Sequence, residues 1–150
     1  MKFDSPAWRE ARNEKLRCWL DRDDHAVQFL LTLFSVAETW DDLIDTDTVQ
    51  PHEIHQAFML ALFNLPTNPF FRQHMEFLQP IMLIGINGWL DSVQLEDRTD
   101  GWANTWAYTL RDLYMELVPA CAYLIGGFSL MRDVSLEARE FFQAETLEEY

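Results

Sequence analysis

The residues with the clearest chemical potential are acids. Glu38, Asp41, Asp42 and Asp45 lie within eight positions, Glu38-Thr39-Trp40-Asp41-Asp42-Leu43-Ile44-Asp45, near the end of a stretch with helical periodicity. At about 100° per residue, Gln28, Thr32, Ser35, Thr39 and Asp42 form one polar stripe, as a solvated helix face should. Glu38, Asp41 and Asp45 fall elsewhere, within about 60° of one another, on the side that carries Val27, Leu30, Leu31 and Phe34. Carboxylates that continue an apolar face either stand beyond the edge of the core or are drawn inward by something that neutralises them. Like charges one turn apart destabilise a helix, and its C-terminal end is already the negative pole. A cation is the simplest compensation, and Mg²⁺, a hard ion, takes oxygen ligands, often one or two carboxylates with waters and substrate phosphates. A solvated helix end is the other reading of the same residues.

Two further groups could complete such a site. Asn87 and Asp91 are one helical turn apart in a long apolar segment, where a buried amide would need a hydrogen-bond partner. Arg111 is expected on a helix side shared with Met115, Val118 and Ile125, where its guanidinium would need a carboxylate or phosphate. Asp112 and Glu116 share a face with Thr105, Tyr108 and Thr109 and read as solvent-facing. His52 and His55 stand at i and i+3 without the His-Glu-x-x-His zinc pattern and read as helix surface. The chain has no Gly-rich phosphate loop, Gly-x-Ser-x-Gly elbow or Cys/His nucleophile pair.

Asp41-Asp42-Leu43-Ile44-Asp45 resembles the first aspartate-rich motif, Asp-Asp-x-x-Asp, of the isoprenoid synthases and terpene cyclases. In that all-α family the acids hold Mg²⁺ ions that grip a prenyl diphosphate, and a second motif on a facing helix completes the cluster. The stretch from Asn87 to Glu96 is similar to that second motif in composition, although the position four before Ser92 is Gly88 rather than Asn. The resemblance implies Glu38, Asp41, Asp45 and Asp91 as metal ligands, with Asn87, Arg111 and Asp42 towards a diphosphate substrate. No general base is assignable.

The elements that must position these residues are helices. Ser5-Pro6 and Asn68-Pro69 are N-cap and first-turn proline pairs, Asp23 or Asp24 can cap a second helix, and Pro51 can begin a third. Gly126-Gly127 can stop a fifth and Ser135 can cap a sixth. Helices are predicted near 6–21, 25–46, 51–64, 69–96, 103–125 and 135–144, with a last turn from Thr146, whose capping box is closed by Glu149. No run shows the period-two alternation of a half-buried strand. The predicted fold is an all-α bundle of about six helices in one domain spanning 1–150, built around the apolar segment 77–90. Pro80 is expected to kink that segment, and Gly85 and Gly88 to admit a close neighbour.

The 150 residues carry 25 Asp and Glu against 11 Lys and Arg, a net charge of -14. That surface repels nucleic-acid phosphates and anionic lipid. With 49% hydrophobic and 14% aromatic residues the chain is nevertheless expected to fold. Cys18 and Cys121 are expected as reduced core residues. The start has no apolar run of signal-peptide length, and no segment is expected to span a membrane, so the expected compartment is cytoplasmic. Two functions follow: a Mg²⁺-dependent site that binds, and hydrolyses or transfers at, a diphosphate-containing small molecule, or a small acidic interaction module or inhibitor, a mimic of DNA's charge pattern among its forms, that covers a basic surface of a partner protein.

Overall fold

Helix signals in the sequence become helices in the structure, a computed structural model that describes residues 5–45, 47–143 and 146–150. The fold is all-α, with no strand among the described residues. The helices are α1 (Pro6–Trp19), α2 (Asp24–Ile44), α3 (Pro51–Met59), α4 (Pro69–Glu96), α5 (Gly101–Leu110) and α6 (Leu117–Phe142). The chain divides into two compact units, one formed by Glu10–Met75 and the other by Met1–Arg9 with Glu76–Tyr150.

In the Glu10–Met75 unit, α1 gives way to α2 through Asp21 and Arg22, both at positive φ. Asp23 then caps α2 by accepting the Ala26 N–H at 3.0 Å, which satisfies one of the donors that a helix start leaves unpaired. Val27, Phe29, Leu30 and Phe34 of α2 are buried, and Phe29 stacks on Phe71 with ring centroids 5.5 Å apart. The start of α3 is fixed by Pro51 at its first position and by Glu53, whose carboxylate accepts the Gln50 N–H at 2.7 Å. After Met59 the helix widens into a π-turn, Leu60–Asn64, in which the Leu65 N–H reaches back to the Leu60 carbonyl, and it closes with Leu65–Thr67. α2 packs against both α3 and this π-turn.

The other unit holds most of α4, then α5, a 3₁₀ turn at Leu113–Glu116, and α6. A Cβ on Gly85 would stand 2.8 Å from the Tyr114 Cα, and one on Gly88 2.9 Å from Leu113 Cδ2, so the two glycines of α4 admit the 3₁₀ turn. Trp8 stacks on Phe141 at 5.6 Å, and Arg139 pairs with Glu116 at 2.5 Å.

Several expectations change. The helix predicted over 103–125 is two helices, because Asp112 leaves helical angles (φ -104, ψ 16) and the following 3₁₀ turn packs on the α4 glycines. Pro119, in the first turn of α6, marks the restart, since a first-turn residue needs no N–H partner. As the glycine pair predicts, α6 is interrupted at Gly126-Gly127, where Gly127 leaves helical angles (φ 72, ψ -163) and two helical stretches meet across a kink. It continues to Phe142 with Ser135 buried inside it rather than capping a new helix. In α4 the non-helical angles fall at His74, upstream of Pro80. Cys121 is buried but Cys18 is exposed, and neither is in a disulfide. Counted as one segment across the Gly127 kink, Leu113–Phe142 is long and apolar enough to cross a bilayer by length and composition. Of its most apolar 18 residues, 33% are buried.

Candidate functional site

The apolar stripe of α2 ends at Phe34, and the acids that continue it stand outside the core. Glu38, Asp41 and Asp45 are exposed and Asp42 is half-buried. Trp40, Leu43 and Ile44 are exposed as well, so the last two turns of α2 meet solvent on nearly every side. Asp45 closes the helix as its C-cap, its N–H donating to the Asp41 carbonyl at 2.9 Å. The Asp47 N–H then reaches the Asp42 carbonyl at 2.9 Å.

Asn87 and Asp91 belong to the other unit, as does Arg111. Asn87 was expected in apolar surroundings but is exposed, because that face of α4 is uncovered at Leu83, Ile84 and Leu90 as well. Its amide donates to Asp91 Oδ2 at 3.4 Å, so these two residues are together as their spacing predicted.

Arg111 is not on a continuous helix with Met115 and Val118. It is the C-cap of α5, and its guanidinium lies over the rings of Tyr108 (5.0 Å) and Tyr150 (4.7 Å) while its Nε contacts Asp112 at 3.2 Å. A charge expected to seek a phosphate therefore has a carboxylate and two aromatic faces within the protein. Asp112, expected on a solvent-facing stripe, is exposed and Glu116 is half-buried, and they pair with Arg111 and Arg139.

Among the described residues, no three His, Cys, Asp or Glu side chains gather closely enough to hold a metal ion. Beside the Glu116–Arg139 pair is a hollow of about 20 Å³ lined by Met115, Pro119, Ala138 and Phe142. It has room for a water molecule.

The feature that the acids overshadowed is apolar. Phe58, Met59, Leu62 and Phe63, on α3 and its π-turn, are exposed by 62, 54, 62 and 56%. Ile54, Ala57, Ala61 and Leu65 of the same segment are half-buried. The signal was legible, since from Ala57 to Leu65 only Asn64 is polar. A surface helix that is apolar all round has a second face to cover. Comparison with protein-family models, with curated proteins and with solved structures finds no match for this chain.

Proposed function

We propose that this protein is an acidic interaction module that docks on a basic surface of a partner protein, with exposed apolar side chains as anchors. The observation that carries this reading is the uncovered run Phe58, Met59, Leu62 and Phe63. Interfaces take most of their binding energy from a few large apolar or aromatic residues that become desolvated, while surrounding charges steer association and select the partner. The exposed Glu38, Asp41 and Asp45 on the neighbouring helix, within a chain of net charge -14, supply charges of one sign. The rival reading, a Mg²⁺–diphosphate site on Glu38, Asp41, Asp45 and Asp91, is supported by the Asp-Asp-x-x-Asp spacing, and among the described residues no three such side chains gather to hold a metal ion.

Two measurements test the proposal. Mg²⁺ should raise the melting temperature of the wild type and of Asp41→Asn/Asp45→Asn equally, and no more than NaCl at matched ionic strength, because screening alone relieves the acidic repulsion. A fluorescent lysine-rich peptide without apolar residues should bind weakly, with affinity that falls as salt rises. A Mg²⁺-specific rise that disappears in the double variant, together with no binding of the basic peptide, would transfer the function to the metal site.

A further inference from the structure

From the exposed face of α3 we infer the form of the partner: a basic amphipathic helix that lies along Phe58, Met59, Leu62 and Phe63. This inference rests on the interaction-module reading and makes it specific. The four side chains stand at i, i+1, i+4 and i+5 of one helical segment and so form a single strip. At about 1.5 Å of rise per residue the strip extends roughly 8 Å along the axis, and the flanking turns add to its reach. It suits the anchors that an opposing helix presents at i, i+3, i+4 and i+7. Two of the four, Leu62 and Phe63, sit on the π-turn Leu60–Asn64. Such turns occur often at functional sites, where the extra residue turns side chains away from the packed face.

Charge selects the sign of the partner. From Asp23 to Phe71 the chain has eight Asp and Glu and no Lys or Arg. The hairpin that carries the strip and the end of α2 thus contribute carboxylates and no lysine or arginine of their own. A second copy of this chain would place the same acids opposite themselves across a two-fold interface, which like-charge repulsion opposes. An anionic lipid surface is repelled for the same reason. A helix with leucine-type residues on one face and lysine or arginine along the flanks matches both the apolar strip and the sign of the charge on the segment that carries it.

The test uses a labelled peptide of leucine and lysine arranged with helical amphipathic spacing, read by fluorescence anisotropy and circular dichroism. A scrambled peptide of the same composition and a leucine–glutamate counterpart are the comparisons. The amphipathic basic peptide should bind the wild type, gain helical signal on binding, and lose at least about tenfold in affinity to Phe58→Ser/Leu62→Ser. Because both positions are exposed, this variant should keep the wild-type melting temperature. Asp45→Lys/Asp47→Lys, at two exposed acids outside the strip and outside the α3 capping box, should weaken binding and flatten its salt dependence. Equal binding of the scrambled or the acidic peptide, or unchanged affinity of Phe58→Ser/Leu62→Ser, overturns the helix inference while binding of the lysine-rich probe still upholds the module reading. Failure of every basic probe overturns both. A wild-type dimer in sedimentation that the serine variant converts to monomer assigns the strip to a second copy and also overturns the inference.

Discussion

The side-chain amide of Asn68 donates to the backbone carbonyl of His25 at 2.9 Å, while its own oxygen accepts the Phe71 N–H at 2.9 Å. One buried residue thus caps α4 and ties it to the first turn of α2, forty-three positions earlier. Asn68→Ala loses the cap and leaves the His25 carbonyl without this donor, and should destabilise the protein by about 2 kcal/mol. Asn68→Ser keeps a cap acceptor and loses the amide donor, so its loss should be about half as large. Urea unfolding midpoints of the two variants measure the difference. Equal stability of Asn68→Ala and wild type would remove the tie.

The glycines should differ in their tolerance of a methyl group. Gly85→Ala directs its Cβ at the Tyr114 backbone, which cannot step aside, and should cost about 1–2 kcal/mol after the gain in helix propensity. In Gly88→Ala the obstacle is the end of the Leu113 side chain, which can rotate, so the net change should be close to zero. Gly101→Ala meets nothing within 4 Å and should stabilise by a few tenths of a kcal/mol. The order Gly101, Gly88, Gly85, from most to least stable, is read from thermal melts.

Glu149 titrates below its ordinary value of 4.5, first because its carboxylate accepts the Thr146 backbone N–H and then because it accepts the Thr146 hydroxyl. A carboxyl with a lowered folded pKa contributes stability that is complete above its unfolded pKa and is lost as pH falls through the folded value. The C-terminal turn should therefore loosen only in acid below 4.5. Thr146→Val removes the hydroxyl but not the N–H, so the Glu149 titration followed by NMR should move part of the way back towards normal.

Arg111→Lys keeps the charge beside Asp112 but gives up the planar guanidinium over Tyr108 and Tyr150. It should cost about 0.5–1 kcal/mol and alter the near-ultraviolet signal of the tyrosines. Tyr150→Phe should have a related effect, since it removes the hydroxyl that bonds Glu96 at 2.5 Å. Binding of the basic peptides should be unchanged in both, because Arg111 belongs to the other unit from α3.

Much of the fold was legible because its signals are local. Asp23, Pro51 and Asn68-Pro69 act within one turn of their own position, so the starts of α2, α3 and α4 follow from residue type alone. The break after α5 was not legible from periodicity. It arises where the Leu113–Glu116 turn meets Gly85 and Gly88, residues distant in sequence, and only Pro119 hinted at the restart of a helix. For the site, the pairing of Asn87 with Asp91 was legible from the four-residue step, whereas the partners of Arg111 were not, since Tyr150 reaches it only through the fold of the C-terminal turn.

By itself the sequence determined an all-α fold, the acidic charge, and which acids share a face of α2, because composition, capping and helical phase are properties of neighbouring residues. Tertiary structure decided which faces remain uncovered. Glu38, Asp41 and Asp45 share helical phase with Val27, Leu30 and Phe34, yet burial stops at Phe34. The apolar residues of α3 are alike in type, yet Ile54, Ala57 and Ala61 are half-buried while Phe58, Leu62 and Phe63 face solvent. Helical phase gives the direction of a side chain from its own axis; whether another helix lies in that direction depends on how distant segments pack.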